Sequence, residues 1–341
     1  NRSNFINSSI DVNSGNVISG SGVNQLAVGQ VNYGTGSAAA DRDKITINNS
    51  GTVDLAGNSS TGILTDFGKI NNTGTVKVSG TESVALYGAN GSLVTNNGTL
   101  NIGNKSIGIY GTNYLQGTAE TYGNGQIRID NNANIISTDT THGGYGIYVK
   151  NTLSRPDSVI NLNSGSNIDV SSGESGIGVY VTDSTLNIND GTITVGKNGI
   201  GVYASNSTGT ISGGNLNLNG DNAVGYYLTN GSTFNNTGGS ISVNGQNITL
   251  VVTDAGSSLA TTNPFTISAT PGSTYVFGNM IGGDYYNSTS AALGSNGSLV
   301  NGLNSIVLFG TGSNVTSAGN NVSGMVLSGQ YASKPFYFSG E

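Results

Sequence analysis

LNINDGTITVGKNGIGVY, residues 186–203, holds the plan of the chain. Leu186 and Ile188 flank Asn187, an apolar and polar alternation, and Asn189, Asp190 and Gly191 interrupt it. Thr192 to Val195 alternate again, Gly196 to Gly199 form a second interruption, and Ile200 to Tyr203 open a third run. Alternation with period two signals a strand, and clusters of Asn, Asp and Gly signal turns, because these residues tolerate left-handed backbone. Strands this short cannot enclose a core of their own, so they must stack on copies of themselves.

The copies are present. ITINNSGTVDLAGNSSTGIL at 45–64, LVTNNGTLNIGNKSIGIY at 93–110 and VINLNSGSNIDVSSGESGIGVY at 159–180 repeat the same order of strand, turn, strand, turn, strand. First-turn glycines are 23 residues apart at Gly51 and Gly74, and 26 apart at Gly165 and Gly191. The pattern predicts an all-β, right-handed parallel β-helix, with three short strands per coil of about 23–26 residues. About 14 coils at about 4.8 Å each would make a rod of roughly 65 Å. Alternation points Ile45, Ile47, Val53, Leu55, Val76, Val78, Leu100, Ile102, Ile107, Ile109, Ile168, Val170, Ile177, Val179, Ile193, Val195, Ile200 and Val202 inward. It leaves Asp54, Lys77, Asn101, Asp169 and Thr194 outward.

Composition narrows the function classes. The 55 glycines among 341 residues serve many turns, and 9% charged residues beside 35% hydrophobic ones do not describe an acidic disordered chain. A net charge of -7 without any basic run excludes a nucleic-acid footprint. Cysteine is absent, which removes disulfides and thiol chemistry and suits a chain exported unfolded across an outer membrane. The sequence shows neither a signal-peptide pattern nor an apolar run of about 18 residues. It reads as one β-helical fragment over 1–341, cut from a longer protein whose export signal and anchor lie elsewhere.

Regular coils run over 44–110 and 158–252, with looser register over 253–341. Insertions at 111–125, 138–145 and 150–157 break the period, and departures from a repeat are where binding chemistry concentrates. They carry Tyr114, Tyr122, the sole histidine His142, Tyr145, Arg155 and Asp157. A second candidate contact loop, 282–298, carries Asp284, Tyr285 and Tyr286. Tyrosine with a guanidinium and carboxylates suits a sugar or peptide ligand, and decorated turns would explain the same residues. Tyr87, Tyr110, Tyr148, Tyr180, Tyr203 and Tyr227 close the third strand of successive units and should face outward, either bracing the sheet or offering a carbohydrate-stacking track.

No catalytic residue is assigned. His142 has no Gly-x-Ser-x-Gly elbow beside it, one histidine without cysteine leaves no zinc set, and tandem Gly-Gly-x-Gly-x-Asp calcium repeats are missing. Acidic residues are scattered, so the chain is not expected to be an enzyme; a polysaccharide-cleaving β-helix is kept as a minor alternative. No cofactor and no metal is expected.

The Asn-rich turns INNSGTVDL and NNGTLNIG, alternating with SIGIYG and GIGVYV, resemble the passenger repeats of large type V autotransporter adhesins, notably the fusobacterial RadD-like group. The resemblance covers most of 44–252 and implies a passenger on the bacterial cell surface, held by a translocator barrel outside this chain. It implies a host-cell or bacterial glycan or protein as partner and transfers no binding residue. A structural spacer, or self-association of rods along flat polar faces, is the alternative.

Overall fold

Each strand of the repeat pairs with its counterpart in the next coil. The computed structural model describes residues 8–31, 44–113, 126–151, 158–254, 256–261, 265–287, 290–293, 297–309, 314–317 and 323–328, with side chains described as far as Tyr275 except at Thr261. Three parallel sheets run along the stack. The first begins with Ser8–Val12 and Ile45–Asn49 and has ten strands, the second begins with Val17–Gly20 and Thr52–Leu55 and has ten, and the third begins with Leu26–Val31 and Thr61–Asp66 and has twelve. This is a parallel β-helix with three strands per coil.

Ten three-strand coils are described rather than fourteen, which at about 4.8 Å per step makes this part of the rod roughly 43 Å long. Beyond Ala269 the third sheet continues through two 13-residue strands, Tyr275–Asn287 and Gly297–Phe309, while Ser290–Leu293 pairs separately with Asn314–Ser317. The loose register read over 253–341 corresponds to this change of coil.

Apolar columns fill the interior. Ile63, Leu86, Ile109, Ile147, Val179 and Val202 align along the third sheet, and Val53, Val76, Leu100, Ile135, Ile168 and Ile193 along the second, all buried. At Gly209 the first-sheet column lacks a side chain and the ring of Phe234 takes the space; a Cβ there would lie 2.1 Å from Phe234 Cε1.

Strict alternation fails in the third strand. Ile107, Ile177 and Ile200 are half-buried on the outer face, contrary to the inward assignment, and Ile45 is also only half-buried. The glycine that follows each of the three turns inward instead. A Cβ on Gly108 would lie 2.4 Å from Ile135 Cγ2 and 2.5 Å from the Gly146 carbonyl oxygen, and one on Gly178 would lie 2.4 Å from Ile193 Cγ2. Two consecutive residues therefore face the core; the first is glycine in these three coils, where a Cβ has no room, and buried Ala85 and Leu250 take the same register position in other coils.

The interior also holds polar residues that alternation did not predict. Asn49 Nδ2 donates to Asn72 Oδ1 at 2.7 Å, Asn72 to Asn96 at 2.8 Å, Asn96 to Asn131 at 2.8 Å, and Asn131 to Ser166 Oγ at 2.7 Å. All four asparagines are buried. Stacking identical amides satisfies each donor on the coil beside it, which removes most of the cost of burial.

At the corner between the second and third sheets the left-handed residues are mostly not glycine: Asn24, Ser59, Glu82, Lys105, Ser175, Asn198, Asn222 and Asn247 take this conformation, beside Gly144 and Gly272. The Ser59, Glu82, Ser175 and Asn198 N–H groups donate to carbonyls of the next coil at 2.8–3.0 Å. Those bonds help offset a conformational cost of about 1–2 kcal/mol per L-residue.

Candidate functional site

The six tyrosines that close successive third strands occupy one register position, Tyr87, Tyr110, Tyr148, Tyr180, Tyr203 and Tyr227, and each is half-buried on the outer face. Tyr148, Tyr180, Tyr203 and Tyr227 stack with centroids 4.4, 4.7 and 5.5 Å apart and interplanar angles of 3°, 5° and 20°. Tyr87 to Tyr110 and Tyr110 to Tyr148 are tilted, by 54° and 46°. Desolvation, followed by the neighbouring phenols, pushes Tyr87 and Tyr148 up to about 12, and Tyr180 rises from the same first cause.

Ring faces in the parallel stretch are taken by neighbouring rings, so a pyranose cannot lie flat on them. Only ring edges and hydroxyls remain for a ligand. Of the two readings of this ladder, bracing agrees with the geometry, and a stacking track would need rings turned outward.

Of the residues singled out for binding, His142 and Tyr145 have described side chains. Tyr145 meets Tyr148 edge-on, with centroids 5.3 Å apart at 88°, and so belongs to the aromatic face. His142 lies in the turn between the second and third sheets. Its Nδ1 accepts the Gly144 N–H at 3.2 Å, the Gly143 N–H donates to the Glu174 carbonyl at 3.0 Å, and the Glu174 N–H donates to the Thr141 carbonyl at 3.2 Å. Asp139 accepts the N–H groups of His142 and Thr141, which hold its carboxyl below the usual range. Seven residues, 138–144, separate Ser137 from Tyr145, against six at 171–176 and four at 103–106 and 196–199, so this corner is lengthened by one to three residues.

Tyr114, Tyr122, Arg155 and Asp157 lie outside the described residues. Their connections nevertheless have a defined place in the topology. Both run from the third sheet to the first, between Thr112 and Arg128 and between Lys150 and Ser158, in consecutive coils. A third long connection, between Val31 and Ile45, joins the same two sheets. In other coils this corner is short, as from Asp66 to Lys69, Thr182 to Ser184 and Ser205 to Thr208. Two of the three predicted insertions therefore share one corner, and 138–145 belongs to another. Asp284, Tyr285 and Tyr286 fall within the strand Tyr275–Asn287, paired with Ile306, Val307 and Leu308, rather than in a contact loop.

The roots of the long connections are pinned by residues the sequence reading passed over. Asn151 is buried, and its Nδ2 donates to the Asp183 carbonyl at 2.8 Å while its Oδ1 accepts from Ser158 Oγ at 3.1 Å. Asn113 Oδ1 accepts the Gly91 N–H at 3.1 Å, and Thr112 Oγ1 donates to the Lys150 carbonyl at 2.8 Å. An asparagine immediately following a third strand was the available signal.

Elsewhere an open groove of about 630 Å³ crosses the corner between the first and second sheets, lined by Gly165, Gly191, Gly214 and Gly238 beside Ser166, Asp190 and Asn215. Much of its polar lining is paired internally, Ser240 Oγ donating to Asn215 Oδ1 at 2.9 Å, for example. Among the described residues no three His, Asp or Glu side chains converge. Glu174 and Asp54 are engaged one to one, with Lys197 at 2.7 Å and Lys77 at 3.2 Å.

No protein-family profile matches the chain, and no curated protein does. Among solved structures, a double mutant of the tailspike protein of E. coli bacteriophage HK620 aligns at 12% identity over 92% of this chain and 73% of that one, with a TM-score of 0.27. A likeness that weak carries no argument about fold or function; the three-sheet topology stands on its own pairings.

Proposed function

We propose that the chain is the stem of a bacterial surface adhesin, exported to the cell exterior and anchored by a region outside it, which presents segments of one corner to a glycan or protein on another cell. The observation that carries this reading is the placement of the long connections. The stack keeps its register through the coils at Tyr110 and Tyr148, while the chain adds most of its extra residues between the third and first sheets there. A rigid frame with its long insertions gathered on one edge is the arrangement in which a scaffold presents loops to a ligand. Buried Asn113 and Asn151 at the roots fit the same purpose, because they fix where those segments leave the frame.

The test is binding of the purified chain to bacterial cells, host cells and an array of surface glycans. A second protein has residues 114–125 replaced by a short Asn-Gly link. The expected result is binding by the parent and at least a tenfold loss in the replacement, with the β-sheet circular dichroism of both unchanged. No binding by the parent to any of these would reduce the chain to a spacer, and equal binding by both proteins would move the ligand away from this corner.

A further inference from the structure

The outer face of the third sheet differs chemically from the other two. Beside the tyrosine ladder runs a second half-buried column, Val84, Ile107, Tyr145, Ile177, Ile200 and Val224, in unbroken register. Neither column contains a charged residue. By contrast, the outward column of the second sheet includes Asp54, Lys77 and Asp169, and that of the first includes Asn48, Asn71 and Asp130.

The two columns sit three residues apart on each strand, about 10 Å, and the two residues between them face inward. Two ridges and a furrow floored by backbone therefore run along the rod. Over the seven coils from Leu64 to Tyr227, at about 4.8 Å by about 20 Å each, the footprint is roughly 700 Å². A monomer seldom leaves so large an uncharged, aromatic-rich face in water, and a standard interface covers about 800 Å² per partner.

We propose that this face is a homophilic interface, in which two copies of the chain pair antiparallel about a two-fold axis near Tyr148, the tyrosine ridge of each lying in the furrow of the other. Three observations favour a second copy as the occupant. Its rungs repeat at the same interval, so contacts stay in register over the whole length, and an unrelated surface would drift out of step. The footprint is close to what a stable pair needs. The copies carry a formal charge of -7 each and repel one another, yet the two columns bring no charge to the contact, and the exposed charge at its margin near the axis is Lys150, opposite in sign to the net charge. The phenol edges can exchange hydrogen bonds across the interface as the aliphatic column closes over them. This goes beyond the adhesin reading, since it concerns a sheet face rather than a corner, and either can fail without the other.

Sedimentation velocity on the 341-residue chain, from low micromolar to several hundred micromolar, tests it. The parent should pass from monomer to dimer. Ile177→Glu combined with Ile200→Glu should stay monomeric throughout, and Thr210→Glu on the exposed face of the first sheet should dimerise as the parent does. Circular dichroism and melting confirm that all three are folded. Nitroxide labels then fix the arrangement, since the chain has no cysteine of its own. A label at Lys150→Cys, beside the proposed axis, should give a short distance between copies, and one at Thr229→Cys a much longer one. A parent that remains monomeric, a folded double variant that dimerises like the parent, or equal label distances at the two positions would overturn the proposal.

Discussion

Tyr148 and Tyr180 stack face to face on the outer surface of the third sheet, with ring centroids 4.4 Å apart and planes 3° from parallel. Their Cα atoms are paired in register although 32 residues separate them in sequence, so the backbone ladder brings the rings together. The contact couples the phenols electrostatically, and that coupling has a consequence for pH.

Stability should fall in alkali well before the backbone is harmed. Tyr87 and Tyr148 are pushed up to about 12, first by desolvation and then by their neighbours. An unfolded tyrosine ionises near pH 10. The folded state thus favours the neutral phenol; its contribution is complete below about pH 10 and is lost as pH rises to about 12. Urea midpoints measured from pH 8 to pH 12 should decline across that window, while absorbance at 295 nm shows part of the tyrosine titrating late. Ionisation of all tyrosines near pH 10 in the folded protein would contradict the buried ladder.

The buried amides should matter more than the exposed ones. Asn72 donates to Asn96 and accepts from Asn49 inside the rod, whereas its neighbour Asn71 donates to Asn48 on the half-buried outer face. Asn72→Ala strands two buried partners and should cost about 1–3 kcal/mol. Asn71→Ala, whose partner can turn to water, should cost under about 1 kcal/mol. Equilibrium denaturation of both variants reads the difference, and equal losses would show that the interior ladder is hydrated.

Glycines at two kinds of position should respond differently to alanine. At Gly178 the added methyl would lie 2.4 Å from Ile193 Cγ2 and 2.6 Å from the Gly201 carbonyl oxygen, a buried β-branched side chain on one side and backbone of the next coil on the other. At Gly231 nothing lies within 4 Å, and only the φ of +78° opposes a side chain. Gly178→Ala should therefore cost about 3 kcal/mol, and Gly231→Ala about 1 kcal/mol. Thermal melts of both proteins would settle the order, and a reversed order would mean that the third strand does not bend inward at its glycine.

The ion pair of Lys197 with Glu174 spans two coils at 2.7 Å, but both side chains are more than half exposed. It belongs to the solvated surface, and salt screens it.

Much of this fold is legible in residues 186–203 and their copies. Local alternation and glycine spacing report strands and turns directly, and strands of this length have few ways to satisfy their backbone other than stacking. The outward tyrosines were legible for the same reason. The third-strand bend was not, because Gly108 or Gly178 carries no side chain to mark its direction, and only the nearby Ile135 or Ile193 shows that it faces inward. Nor did the buried asparagines announce themselves: INN reads as a turn until Asn49, Asn72, Asn96 and Asn131 are seen to share a column.

The sequence by itself determined the coil, its period and the absence of cysteine-based chemistry, since these depend on residue type and on spacing within a few positions. Tertiary structure decided which insertions share a corner, how the tyrosine rings present themselves, and that the two outward columns of one sheet carry no charge. Those properties arise from contacts between residues one coil apart, set by the cumulative register of the stack, which no window of sequence shorter than a coil contains.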